Sequence, residues 1–239
     1  GIFANLEIGW KSMLYLTLTG RNDWESQLAF TDHSSFFYPS VGLSAVLTEM
    51  IKLPEFISYA KIRGSYTSVA SSFDRFLSNP GFEFLEQSHQ WSTSSTRPAV
   101  NLKPERTKSW EIGLNTKFWN DLSFDFTFYK SNTYNQTFQI SQSSASGFST
   151  AVVQSGNVQN YGIEMGIGYR HKFGDVEWNS NFTFTMNRNK IKELMEGAKD
   201  PETGELIADE ERRVATLGAA GYAPVIILRK DGGMGDIYV

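Results

Sequence analysis

Val176-Glu177-Trp178-Asn179-Ser180-Asn181-Phe182-Thr183-Phe184-Thr185-Met186-Asn187 is the stretch on which the fold turns. Val176, Trp178, Ser180, Phe182, Phe184 and Met186 fall on one side, and Glu177, Asn179, Asn181, Thr183, Thr185 and Asn187 on the other. A period of two marks a β-strand with two chemically different faces. The row of amides and hydroxyls is too uniform for the core of a sandwich. It predicts a face that meets water or a polar lumen.

The pattern recurs upstream. Leu122, Phe124, Phe126 and Phe128 alternate with Ser123, Asp125, Thr127 and Tyr129. Trp110, Ile112, Leu114, Thr116 and Phe118 alternate with Ser109, Glu111, Gly113, Asn115 and Lys117. Tyr161, Ile163, Met165, Ile167 and Tyr169 alternate with Gly162, Glu164, Gly166, Gly168 and Arg170. Weaker versions cover Met13–Trp24, Phe36–Leu47 and Ile57–Val69, and a first strand is expected near 2–9. These strands run to roughly 11–14 residues, where globular strands average about 5–6 and transmembrane barrel strands need about 9–11.

The predicted links alternate in length. Short ones fall at Trp10-Lys11-Ser12, about 49–56, Asn120-Asp121 and Gly174-Asp175. Long ones fall at about 25–35, 70–107, 135–158 and 191–222. Short turns at one end and long loops at the other are the habit of an up-and-down outer-membrane barrel. Aromatic residues gather near the strand ends, among them Trp10, Trp24, Phe36, Phe37, Tyr38, Trp119 and Trp178, as interfacial girdles require. The expected fold is therefore all-β: an antiparallel up-and-down meander of about 8–9 long strands, forming a partial transmembrane β-barrel, with the ninth strand near Ala223–Lys230.

Composition agrees. The 239 residues include 18 Phe, 10 Tyr and 6 Trp beside abundant Ser, Thr, Asn and Gln, and alternation explains that pairing. With no cysteine there is no disulfide framework, cysteine-ligated metal or thiol nucleophile. A net charge of −4 argues against a nucleic-acid partner. No apolar run approaches the ~20 residues of a spanning helix.

Several segments, in order, resemble SusC/RagA-type TonB-dependent outer-membrane transporters. Tyr15-Leu16-Thr17-Leu18-Thr19-Gly20-Arg21-Asn22-Asp23-Trp24 is similar to their strand ending in Arg-x-Asp. Phe36-Phe37-Tyr38-Pro39-Ser40-Val41-Gly42 and Lys61-Ile62-Arg63-Gly64-Ser65-Tyr66 resemble the two strands that follow. Leu102-Lys103-Pro104-Glu105-Arg106-Thr107 with Trp110-Glu111-Ile112-Gly113-Leu114, and then Phe124 to Tyr134, continue the series. Gly156-Asn157-Val158-Gln159-Asn160-Tyr161-Gly162-Ile163-Glu164 resembles their Gly-x-(Met/Val)-x-Asn-x-Gly-(Ile/Val)-Glu signature, and Phe182 to Ile191 the strand after it.

The resemblance implies that residues 1–239 are a fragment of a single TonB-dependent receptor β-barrel domain. The plug, the carboxypeptidase-like N-terminal domain and the C-terminal strands are absent from it, since large transporters of this kind close with about 22 strands. It implies a bacterial outer-membrane location and a role in active uptake of an oligosaccharide or glycan, or of a peptide. It implies outer-membrane lipid, a SusD-like surface lipoprotein and, through the plug, the TonB complex as partners. No catalysis, cofactor or metal is implied. The alternatives carried beside it are a soluble carbohydrate-binding β-module and a barrel-embedded hydrolase.

Substrate or partner contacts are expected from aromatic residues of the long loops. These are Phe82, Phe84 and Trp91 in the 70–107 link, and Tyr134, Phe138 and Phe148 in or beside the 135–158 link. His33, His89 and His171 are scattered. Asp32-His33-Ser34-Ser35 sets an acid, a base and a hydroxyl side by side, but triads assemble in space rather than along the chain. Asp231-Gly232-Gly233-Met234-Gly235-Asp236 lacks the alternating oxygen ligands of a calcium loop. Glu205 to Leu217 reads as a short charged helix or helical turn.

Overall fold

The computed structural model describes residues 1–28, 31, 34–74, 77, 82–92, 94–99, 102–142, 144–195, 197–200, 203–207, 211–216, 225–234 and 236–238. In chain order it contains β1 (Ile2–Trp10), β2 (Leu14–Trp24), β3 (Ser35–Val46), α1 (Leu47–Met50) and β4 (Ile57–Ser71). Three short strands follow: β5 (Glu83–Leu85), β6 (Gln90–Ser92) and β7 (Thr96–Arg97). Then come β8 (Glu105–Phe118), β9 (Leu122–Ser141), β10 (Thr150–Phe173), β11 (Val176–Glu193), β12 (Glu211–Thr216), β13 (Val225–Arg229) and β14 (Ile237–Tyr238).

The long strands form one open antiparallel sheet in the order β1-β2-β3-β4-β8-β9-β10-β11, each beside the next long strand of the chain. Two of the tight hairpins rest on left-handed residue pairs: Lys11 and Ser12 between β1 and β2, and Trp119 and Asn120 between β8 and β9. The second turn thus centres one residue earlier than Asn120-Asp121, closed by the Asp121 N–H donating to the Phe118 carbonyl at 3.1 Å. Between β10 and β11 it is Gly174, at φ 61°, that makes the left-handed step.

Directly opposed residues of neighbouring strands point to the same side of a sheet. Ile8, Leu16, Leu43, Gly64, Ile112, Phe128, Ile163 and Met186 oppose one another in turn across all eight long strands. One residue along, Glu7, Thr17, Gly42, Ser65, Glu111, Tyr129, Gly162 and Asn187 do the same on the other face. The apolar face is bare: Leu43 is 54% exposed, Ile112 51% and Phe182 56%. So broad an uncovered apolar surface in a soluble monomer would exceed the few hundred Å² that such proteins tolerate. It fits a wall with hydrocarbon on one side and water on the other.

Most buried residues lie at the long-loop end. Ile140, Ala151, Val153, Val158, Ile191, Leu194, Met195 and Leu228 form one cluster, and smaller ones gather round Leu28 with Phe36 and round Leu102 with Val152. β10 alone has 24 residues, roughly 80 Å at the usual rise, so β9 to β11 stand well clear of the bilayer as an outer wing.

Three expectations are corrected here. Residues 135–158 are mostly strand: β9 continues to Ser141, β10 begins at Thr150, and only the residues between them connect. Alternation hid this, because Ala151, Val152 and Val153 are all buried, one after another, under covers on both sides. The segment near Ala223–Lys230 is a strand, β13, but it pairs with β12 and β14 in a separate small sheet rather than joining the wall. And Glu211–Thr216 within the expected helix is β12, paired to β13, so pairing overrides the helical preference of its Glu, Arg and Ala.

The wall makes a sharp prediction for the whole receptor. Ile163→Arg, at mid-height of the apolar row, should lower folding stability in micelles by about 2–4 kcal/mol. Glu164→Gln, one residue on and facing inward, should leave it nearly unchanged. Urea unfolding followed by the mobility difference between heated and unheated barrel checks both.

Candidate functional site

Two regions offer chemistry: the inward face of the wall and the outer wing. On the inward face, polar groups bond across strands. Arg63 donates from Nη2 to the Thr127 hydroxyl at 2.7 Å and pairs with Glu111 Oε1 at 3.2 Å. The Arg63 side chain passes over Gly113, where a β-carbon would run into its guanidinium. Asn115 bonds Asp125, Tyr129 donates to Asn187 Oδ1 at 3.2 Å, and Thr107 shares a bond with Thr133 at 2.9 Å. Higher up, Arg21 donates to Asp23 at 3.0 Å, and Asp23 also accepts from the Tyr38 hydroxyl. A cavity of 220 Å³ opens over Tyr15, Thr17, Ser44, Lys61, Arg63 and Glu111. This is a surface of fixed donors and acceptors for a hydrogen-bonding solute.

On the outer wing, Asn135 (φ 59°) and Gly156 (φ 92°) sit between the paired couples Ser155–Gln136 and Asn157–Tyr134. Two left-handed residues facing each other break the pleat there. Glycine is needed at 156 on a second count: a β-carbon would crowd the carbonyls of Glu193 and Leu194 at 3.3 and 3.2 Å. Just above, the Gln154 side chain behaves like a strand. Its Oε1 accepts from the Lys103 N–H and its Nε2 donates to the Lys103 carbonyl, both at 2.6 Å. β7 adds a parallel pairing to Thr150 and Ala151. Beside this strap of β7 and residues 102–104 lies a cavity of 540 Å³ lined by Arg97, Lys103, Lys199, Asn135, Gln154 and Leu102, among others. Its charged lining among the described residues is wholly cationic, which suits a carboxylate or another anion.

The aromatic residues singled out from sequence do not converge. Phe84 and Trp91 face each other across the β5–β6 hairpin, with ring centres 5.2 Å apart, and Trp91 is 67% exposed. Phe82 lies beside the same hairpin, exposed. Tyr134 and Phe138 stand on β9 rather than in a loop. Lys108 Nζ sits 5.6 Å from the Tyr134 ring centre, and Phe138 packs against the main outer cluster and lines a second cavity of 430 Å³. Phe148, in the β9–β10 connection, is half-buried. Sequence reasoning passed over Arg97, Lys103, Gln154 and Lys199. Their only signal is a cluster of cations in segments that do not alternate, and pairing alone shows that those segments meet.

The histidines are apart. Asp32 and His33 lie outside the described residues. His89 is a turn residue against Phe84, and His171 pairs through Nδ1 with Asp121 at 2.7 Å. No trio of His, Asp or Glu among the described residues is placed to hold a metal. In the 231–236 turn, Asp231 pairs with Lys190 at 2.8 Å, and Asp236 accepts from the Gly233 N–H at 2.8 Å.

A wall of long meandering strands, bare and apolar outside and polar inside, defines an outer-membrane β-barrel. The family described as "TonB dependent receptor-like, beta-barrel" matches residues 1–233, and the chain belongs to that family. It is a stretch of receptor barrel located in the outer membrane, and it resembles the SusC/RagA type. TonB-dependent receptor P3 of Formosa agariphila is 25% identical over 206 residues, covering 82% of this chain and 20% of that protein. Among solved structures, the RagAB peptide importer in its open-open state superposes with a TM-score of 0.70 at 20% identity, over 94% of this chain and 26% of that one. The closed-closed state gives a TM-score of 0.65 at 19% identity. This chain thus spans about a fifth to a quarter of the length of these relatives.

Two measurements test the site's architecture. Gln154→Ala strands both backbone groups of Lys103 and should cost about 1 kcal/mol locally, seen as faster amide exchange at Lys103 with little change in the wall. The Lys190 ammonium holds the Asp231 carboxyl below its ordinary value. A depressed folded-state pKa stabilises above the unfolded value of about 4 and is lost as pH falls through the lower one. The Asp231 N–H donates to the Ile191 carbonyl at 2.7 Å and the Ile191 N–H to the Gly232 carbonyl at 2.9 Å, so protection of the Asp231 and Ile191 amides should fall over that acidic range. In Asp231→Asn the pH dependence should vanish.

Proposed function

We propose that this chain is a sector of the wall, lumen lining and outer rim of an active nutrient importer, which takes up an oligosaccharide or a peptide. It works with a SusD-like lipoprotein over the outer mouth and draws energy from the TonB complex through a plug. The observation that carries this reading is the row from Glu7 to Asn187, polar or glycine on all eight strands, backed by a row that is apolar on every strand but β4, where Gly64 stands. Such a wall catalyses nothing. It separates lipid from an aqueous path and lines that path with amides, hydroxyls and the Arg63–Glu111 pair. The match to solved importers described as peptide transporters supports the import reading at the level of fold.

The cationic cavity by Arg97, Lys103 and Lys199, and the exposed Phe84–Trp91 pair, supply anion binding and ring stacking at the outer end. Both serve a peptide with a free carboxylate or an acidic sugar chain. The soluble-module alternative requires a covered second face, and the apolar row is bare.

Growth of a strain lacking the full-length receptor, on a panel of glycans and peptides as sole nutrient, tests the proposal. One class of oligomer should fail to support growth, and the wild-type gene should restore it only when TonB is present. Growth on every member of the panel, or rescue without TonB, would refute it.

A further inference from the structure

The outward face, followed upward from the apolar row, changes character in one sector. Above Ile112, Phe128, Ile163 and Met186 the next opposed set is Trp110, Lys130, Tyr161 and Arg188. The set above that is Lys108, Asn132, Gln159 and Lys190, and Arg106 opposes Tyr134 higher still. Three of the four adjacent strands, β8, β9 and β11, therefore place Arg106, Lys108, Lys130, Arg188 and Lys190 on the membrane-facing side, directly above the apolar band, with Tyr161 and Gln159 of β10 between them. The contact of Lys108 with the Tyr134 ring places these two on one side, and the Thr107–Thr133 bond lies on the other.

Two of the five cations are committed. Arg106 donates to Ser68 Oγ at 3.3 Å and to the Phe37 carbonyl at 3.2 Å, and Lys190 is paired with Asp231. The acids near this patch are Asp231 and, past the bulge in β11, Glu193. Among the described residues no carboxylate pairs with Lys108, Lys130 or Arg188. Lys130 and Arg188 flank Tyr161 on successive strands, so their backbones lie about 10 Å apart, and Lys108 stands one strand over and about 7 Å higher. Three cations without a carboxylate partner, Lys108 resting on the Tyr134 ring, thus surround one spot, edged by the Tyr161 ring and the Gln159 amide.

Ordinary interfacial anchoring does not produce this distribution. At the short-turn end the same face carries Phe118, Tyr169, His171, Phe173 and Trp178, and no Lys or Arg within the paired strands. At the height of the cations, β2 to β4 present Leu18, Val41 and Tyr66 and no Lys or Arg. The charge is confined to the outer leaflet level and to one side of the wall.

We infer that Lys108, Lys130 and Arg188 form a docking site on the outside of the barrel for the phosphorylated headgroup of an outer-leaflet lipid. A phosphate in that position meets three cations that no carboxylate neutralises. The acyl chains below it lie along Trp110, Ile112, Phe128 and Ile163, and sugar hydroxyls above it meet Asn132 and Gln159. The site is separate from the lumen and from the transported nutrient, so it stands whether or not the import reading does.

The test uses the full-length receptor in phosphatidylcholine nanodiscs, titrated with lipid A monophosphate, with its dephosphorylated form and with inorganic phosphate, and read by native mass spectrometry. The phosphorylated lipid should bind. The double variant K130Q/R188Q should weaken it about twenty-fivefold, at roughly a fivefold effect per cation near an anionic surface. The K108Q/K130Q pair should behave alike, and Lys172→Gln, on the inward face at the far end, should bind as the wild type does. Unchanged mobility of unheated barrel shows that each variant is folded. Equal binding of the dephosphorylated lipid, competition by inorganic phosphate at comparable concentration, or undiminished binding by both folded double variants would overturn the inference.

Discussion

Unbroken antiparallel register carries this structure. Hydrocarbon offers no partner to a backbone N–H or carbonyl, so a sheet that crosses a bilayer must satisfy those groups strand to strand. Between β10 and β9 the pairing runs from Thr150–Ser141 down to Tyr169–Leu122 at one constant offset. The irregularities, at Ile57/Tyr59 and Asn157/Val158, fall below and above the apolar band. A one-residue slip within the band would turn every lipid-facing side chain into the lumen. The turns guard against it. Left-handed pairs at Lys11–Ser12 and Trp119–Asn120, and Gly174, fix the offset of three hairpins at the short end.

From that register follow two environments and a third above them. Within the band, stability comes from backbone pairing and from lipid, and the side chains are bare on one face. Above it, where water replaces lipid, β9 to β11 must cover themselves, and they do so with the cluster around Ile191, Leu194 and Met195 and with the strap formed by β7 and residues 102–104. The pleat break at Asn135 and Gly156 marks the boundary. The cavity lined by Arg97, Lys103 and Lys199 exists because the strap closes over β10 there.

Much of this was legible in the residues. Ile163 against Glu164, or Phe184 against Thr185, announces a strand between lipid and water without any partner strand, because alternation is a local property of the pleat. The turns could be placed to within a residue. The outer wing could not, since burial on both sides erases the period of two, as at Ala151-Val152-Val153. Nor could the fate of Glu211–Thr216, whose helical composition yields to pairing with β13. The six loop aromatics were chosen by type and position. The structure gathers Phe84 and Trp91 and leaves Tyr134, Phe138 and Phe148 in separate surroundings.

By itself the sequence determined where the strands of the apolar band run, which face of each is apolar, and which ends carry short turns and long loops. All three depend on a repeat no longer than one strand and its turn. Only the tertiary structure decided what stands beside what. Whether Arg63 meets Thr127, whether Gln154 holds Lys103, and whether Lys108, Lys130 and Arg188 share one patch depend on offsets between strands up to eighty positions apart in the chain. Those offsets are set by hydrogen-bonded pairing, and no local pattern records them.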